Sequence, residues 1–231
     1  MFKSKFIVFL VLVLVVLPFV SSLLNYYTDW LFFVETGFTS VFTTTLYAKT
    51  GVGLLFGVLL CAVIVVNVLF ANRAKFPYSG ISIVGGGNFR VNRNDAIRFI
   101  KPLAGLATLV LSLLAANWGA LRWEEVLLFT NGVTVGTVDP VIGKDIGFYL
   151  FSLPFWEMLK GFAGFALVAA AAVSGVVYYI RGGIILTERG ASVDEKVRRH
   201  LAVLVGLFAC VVAAGFYLDS FRLLFANNGA F

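Results

Sequence analysis

The hydropathy pattern of this chain is a series of long apolar runs separated by short polar joints. Five runs approach the ~20 residues that a helix needs to cross a hydrocarbon core. They are 6–24, "FIVFLVLVLVVLPFVSSLL", then 51–71, 103–121, 161–180 and 201–220. Transmembrane β-strands would alternate apolar and polar positions over about ten residues, and no such alternation is present. The pattern predicts an all-α fold, a polytopic transmembrane helical bundle of about five crossings. All 231 residues read as a single membrane domain.

Between the runs lie cytoplasmic loops at 72–102 and 181–200 and outer loops at 25–50 and 122–160. Within 28–47, Trp30, Phe33, Val34, Phe38, Val41 and Phe42 recur at helical spacing behind Asp29. That predicts an amphipathic helix lying in the membrane plane, with Asp29 as N-cap. The alternative is an extended outer end of the first helix. A second short outer helix is predicted in "LRWEEVLLFTNG", 121–132, stopped by Asn131-Gly132. "ISIVGGGNFRV", 81–91, lacks the frame of a phosphate loop and reads as a small hairpin.

Composition agrees with the pattern. The chain is 60% hydrophobic and 13% charged, with a mean hydropathy of +0.96. Soluble chains average about 45–50% apolar and about 25% charged, so a water-soluble domain is excluded. The formal charge of +6 raises nucleic acid as a partner. Position removes it. The N-terminus and the loops 72–102 and 181–200 hold 13 of the 18 basic residues, and the remaining five fall on the other side. Basic residues stay on the cytoplasmic side, so the expected threading is N-in and C-out. Lys3 and Lys5 ahead of the first run also fit a signal peptide, with "VSS" at 20–22 as a weak cleavage point. The run is long for a signal core, and a retained anchor is expected.

Candidate chemistry is sparse. No ionisable side chain stands in the middle of any run; Lys160, His200, Asp219 and Arg222 fall near ends. Asn67, Thr108, Ser112, Asn117 and Ser174 are the interior polar groups, expected to form interhelical hydrogen bonds. His200, beside Arg198 and Arg199, reads as an interfacial cation. Small residues recur at four-residue spacing at Gly53, Gly57 and Cys61, and again at Ala202, Gly206, Cys210 and Ala214. Such stripes let helices approach closely in lipid, and both cysteines read as small packers.

"DPVIGKDIGFYLFSLPF", 139–155, departs most from the lipid-like background. It reads as a polar turn followed by aromatics at headgroup level, with Asp139, Lys144 and Asp145 the only candidates for catalysis. Neither catalytic nor cofactor-binding nor metal residues are assigned.

Together with "TDWLFFVETGFTSVF" (28–42) and "YYIRGGI" (178–184), this segment resembles the N-terminal membrane region of the UPF0182 family of prokaryotic membrane proteins. The resemblance implies several crossings followed by a large extracytoplasmic region, in the prokaryotic plasma (inner) membrane. The chain stops instead at "FRLLFANNGAF", reading as a shortened relative or as part of something longer. The resemblance implies no activity and no cofactor. The functional expectation is a non-catalytic scaffold or subunit, with lipid, other membrane chains or itself as partners. The alternative is a component of a transporter or permease.

Overall fold

The computed structural model describes residues 20, 23–74, 76, 93–187 and 190–222. The predicted first crossing at 6–24, apart from residues 20, 23 and 24, and the hairpin at 81–91 lie outside them. Two compact units are present, 1–50 and 51–231.

In the first unit, helix α1 covers residues 23–35 and helix α2 begins at Thr39. The single surface helix expected over 28–47 is therefore two helices. Asp29 lies inside α1 and is not its cap. The break is chemical: Gly37 adopts φ +78°, which lets the Phe38 amide reach the Phe33 carbonyl at 3.0 Å and the Gly37 amide reach Val34 at 3.2 Å. This is a Schellman stop, which favours glycine at its left-handed position.

The second unit takes α2 onward to Arg73 and adds α3 (Arg93–Leu121), α4 (Trp123–Thr130), α5 (Leu153–Ile180) and α6 (Glu195–Arg222). A two-stranded antiparallel hairpin, β1 (Ile184–Thr187) and β2 (Gly190–Val193), joins α5 to α6, pairing Ile184 with Val193. The hairpin is an addition to the expected helical scheme. Helix α4 stops at Asn131, as the Asn-Gly pair predicted.

Four helical segments are long and apolar enough to cross a membrane: Thr39–Arg73, Ile100–Leu121, Phe148–Ile180 and Glu195–Arg222. Charge placement explains their lengths. Residues 161–180 of α5, between Lys160 and Arg181, are 20 uncharged positions, or about 30 Å of helix at ~1.5 Å per residue. Residues 102–121 of α3, between Lys101 and Arg122, are another 20. Each matches the hydrocarbon thickness of about 30 Å.

The core of this unit is built where α2, α3 and α5 meet. Phe56 stands edge-on to Trp118 at 5.5 Å and to Phe162 at 4.7 Å. Trp118 and Trp123 belong to this packing, while Trp30 and Trp156 are exposed. Gly53 and Gly57 make the approach of α2 to α3 possible. A methyl group at Gly53 would lie 2.8 Å from the Ala116 carbonyl oxygen, and one at Gly57 would lie 2.9 Å from the Ala116 Cβ. This stripe is consumed inside the chain.

On α6, Val197, Leu201, Leu204, Phe208, Val211, Gly215 and Leu218 follow alternating steps of four and three, and of these Phe208 and Val211 lie nearest Gly164 of α5 and Gly215 nearest Lys160. That spacing gives a shallow antiparallel crossing. Leu204 and Gly215 are buried on this seam, whereas Ala202, Gly206, Cys210 and Ala214 are exposed.

Gly53→Ala is expected to destabilise the protein by about 1–3 kcal/mol through overpacking. Gly105→Ala, where nothing lies within 4 Å, is expected to be neutral or to gain up to ~1 kcal/mol of helix propensity. Equilibrium unfolding in mixed micelles measures both, and equal effects would contradict the close α2–α3 contact.

Candidate functional site

Polar side chains of the second unit gather at the two ends of the α5–α6 pair. At the end near Ile180, Tyr178 Oη and His200 Nδ1 are 2.8 Å apart, and His200 Nε2 and Asn67 Oδ1 are 2.9 Å apart. Asn67 Nδ2 donates to the Val63 carbonyl at 2.7 Å, which leaves Oδ1 as acceptor for His200. In the neutral imidazole, Nε2 then carries the proton and Nδ1 accepts from the Tyr178 hydroxyl. Three helices are tied by one chain of hydrogen bonds. His200 is half-buried, its ring held between Asn67 of α2 and Tyr178 of α5. Asn67 forms the interhelical bond predicted for it.

Arg181 closes the same end. Its guanidinium donates to the Asn72 carbonyl at 2.6 Å, to Asn72 Oδ1 at 2.9 Å and to the Ala74 carbonyl at 3.0 Å. Helix ends leave carbonyls without intrahelical partners, and a cation there also opposes the negative end of the helix dipole. Arg181 thus caps α2 from α5. It can do so because α5 stops where Gly182 turns at φ +79°, with Gly183 donating to the Tyr178 carbonyl at 2.8 Å.

The opposite end is assembled by the loop before α5. The Asp139 carboxylate accepts from the amides of Val141 at 3.2 Å and Ile142 at 2.8 Å, and from the Tyr149 hydroxyl at 3.2 Å. Asp145 accepts from the amides of Val135 at 3.0 Å, Gly136 at 2.8 Å and Gly147 at 2.7 Å. The backbone donors, led by Ile142 for Asp139 and by Val135 for Asp145, hold both carboxyls below the ordinary carboxylate value of 3.8. Both acids are occupied in folding the loop.

The aromatics finish the fixation. Phe148 and Tyr149 clasp Phe221 of α6, with Phe148 5.2 Å from its ring. Phe155 stacks on Phe129 of α4 at 4.0 Å. Much of the expected headgroup layer is therefore internal packing. Pro154 has no amide for the Leu150 carbonyl and crowds it, and the preceding turn, Phe148–Ser152, is widened to a π-helix.

Two ion pairs join the helices beside this loop. Arg222 engages Glu157. Lys160 Nζ stands 3.7 Å from Asp219 Oδ1, its stem lying over Gly215. Lys144, Lys160, Trp156 and Tyr217 border a cavity of about 420 Å³ between α5 and α6, with Leu159, Ala163 and Ala214 among its walls. Lys144 Nζ is 5.6 Å from the centre of the Phe148 ring, which lines the same cavity. Sequence spacing alone does not bring Lys144 and Lys160 together; the Phe148–Phe221 clasp does. Among the described residues no three His, Cys, Asp or Glu side chains come together as a metal site.

The model of the Uncharacterised protein family (UPF0182) matches residues 6–231. The chain belongs to this family. A UPF0182 protein of Pelobacter propionicus is 63% identical over 231 residues, covering 100% of this chain and 26% of the relative. One from Geobacter sulfurreducens is 54% identical over 233 residues, again with 100% and 26% covered. One from Streptomyces coelicolor is 32% identical over 199 residues, covering 86% of this chain and 20% of the relative. The chain thus spans about a quarter of the length of the first two relatives. No solved structure matches. The recognition made on 28–42, 139–155 and 178–184 holds over nearly the whole sequence.

Tyr178→Phe is expected to cost about 1–3 kcal/mol by leaving His200 Nδ1 without its donor, and unfolding in micelles measures it. Asp145→Ala is expected to open the loop to protease with little effect on the helices. A group with a lowered native pKa stabilises above its ordinary value and loses that contribution as pH falls through the lowered one. Protease sensitivity of 133–147 should therefore rise as the pH is taken below 3.8, the ordinary carboxylate value, and the protection is complete above it.

Proposed function

We propose that the chain is a non-catalytic membrane scaffold or subunit whose α6 packs against another membrane chain or a second copy. The observation that carries this reading is the unequal fate of the two small-residue stripes. Gly53 and Gly57 are covered by α3, whereas Ala202, Gly206, Cys210 and Ala214 are open along α6. Small residues favour close helix contact in lipid, where packing and not hydrophobic exclusion drives association. A transporter component is the weaker reading. The grooves between α3 and α5 are walled by apolar side chains. Asn67, whose polarity could have lined a path, is engaged with His200.

The threading that goes with this proposal is five crossings in a prokaryotic plasma membrane, N-in and C-out, with 6–24 as the first. The 13-to-5 division of basic residues supports it.

Cys210 is exposed and Cys61 half-buried, so thiol crosslinking separates the outcomes. Oxidative or bismaleimide crosslinking in native membranes is expected to join Cys210 to a neighbouring membrane chain or copy. Cys210→Ser should abolish the product, and Gly206→Leu should reduce it. Only monomer, with no partner at any reagent length, would count decisively against the proposal.

A further inference from the structure

We infer that the cavity between α5 and α6 beside Lys144 is a binding site for an anionic phospholipid, with the headgroup phosphate between Lys144 and Lys160 and an acyl chain along the helix groove. The inference rests on α5 and α6 crossing lipid and does not depend on a protein partner for α6.

Depth comes first. Lys160 ends the 20-residue uncharged stretch of α5, and Asp219 ends residues 201–218 of α6. The ~30 Å separating Lys160 from Arg181 puts the lysine at headgroup level when the far end lies at the opposite boundary. Trp156 and Tyr217, exposed on the two helices, border the same cavity. Amphipathic rings settle at that level.

Shape comes second. The cavity has the volume of a small-ligand site and walls of Leu159, Ala163, Val211 and Ala214. Lys144 and Phe221 line it together with Ala163 and Val211 of the two helices. A chain of methylenes fits such walls, and a free hydrophilic anion gains nothing from them.

Charge comes third. At 3.7 Å the Lys160–Asp219 pair is longer than the 2.7–3.2 Å of a protein hydrogen bond, so the ammonium keeps donors for a phosphate. Its stem lies against Gly215, where an added methyl would meet Lys160 Cδ at 3.0 Å, and this contact fixes the direction of the side chain. Lys144 is exposed on a loop whose backbone is pinned by Asp139 and Asp145. Glu157 is taken up by Arg222. Asp219 stands beside Lys160, and Asp139 and Asp145 turn their oxygens to loop amides, so each carboxylate near this rim already has a partner within the protein and the two ammoniums are the groups that suit a headgroup carrying one negative charge.

The test uses the full chain in detergent with dioleoyl phosphatidylglycerol, dioleoyl phosphatidylcholine or sodium phosphate as probe, read by thermal melting and native mass spectrometry. Phosphatidylglycerol is expected to raise the melting temperature and to remain bound in the mass spectrum, with phosphatidylcholine weaker. Binding should fall roughly five-fold for each lysine removed, and about thirty-fold for Lys144→Gln with Lys160→Gln. Ala214→Phe should block the groove and lose phosphatidylglycerol with both lysines intact. Lys144→Gln alone, on an exposed loop, keeps the test valid if the helix variants do not fold.

Equal binding of the two lipids, full binding by the lysine variants, or unchanged binding by Ala214→Phe would each overturn the proposal. Protection by sodium phosphate equal to that by phosphatidylglycerol would also overturn it, since the groove would then add nothing. Flotation with vesicles separates this failure from failure of the membrane reading. A chain that floats yet shows no lipid preference sinks only the site.

Discussion

The constraint on which this structure depends is the cost of placing charge or an unsatisfied peptide group in hydrocarbon. A helix satisfies its own backbone, so it is the element this chain can use in the lipid layer. Charged residues then mark where the helix must leave that layer. Lys101 and Arg122 bracket the uncharged stretch of α3, and Lys160 and Arg181 that of α5, each at the distance a bilayer allows. The ends of helices become the only places where polar chemistry can collect.

Both ends of the α5–α6 pair use this allowance, in different ways. Near Ile180 the polar groups are mutually satisfied: Tyr178, His200 and Asn67 close one network, and Arg181 caps α2. Buried polar groups are costly when half-satisfied and specifying when fully paired. This end therefore fixes which helices are neighbours. Near Leu153 the groups are only partly satisfied. Lys160 holds Asp219 at a distance, and Lys144 leans on a ring face. A rigid end and an end with spare donors are what a static anchor and a recognition surface respectively require.

Much of the fold was legible because the dominant force is one-dimensional. Apolar run length gives the crossings, and the predicted 103–121 and 161–180 fall within α3 and α5. The stop at Asn131 follows from local turn chemistry. What escaped was the outcome of competition between neighbouring segments. The amphipathic spacing of 28–47 is real, but a left-handed glycine at 37 outweighs it and divides the helix. The aromatic run on either side of Pro154 looked like a headgroup layer because Phe221 and Phe129, partners of Phe148 and Phe155, are distant in sequence. The partners of His200 escaped for the same reason. Its neighbours Arg198 and Arg199 advertise an aqueous boundary, while Tyr178 and Asn67, on other helices, decide its environment.

The two aspartates of the segment 139–155 show how a charged motif beside long apolar helices can serve architecture. Each carboxylate gathers backbone amides that a tight loop at a membrane rim would otherwise leave to water. Their negative charge is spent inside the loop, so the neighbouring Lys144 is not neutralised by them through a direct pair. The same hydrogen bonds fix where Lys144 stands relative to Phe148, and the clasp of Phe148 on Phe221 carries that position to α6. A motif of turn, charge and aromatics is thus one mechanical unit: acids set the loop, rings dock it, and the lysine between them is presented to the groove.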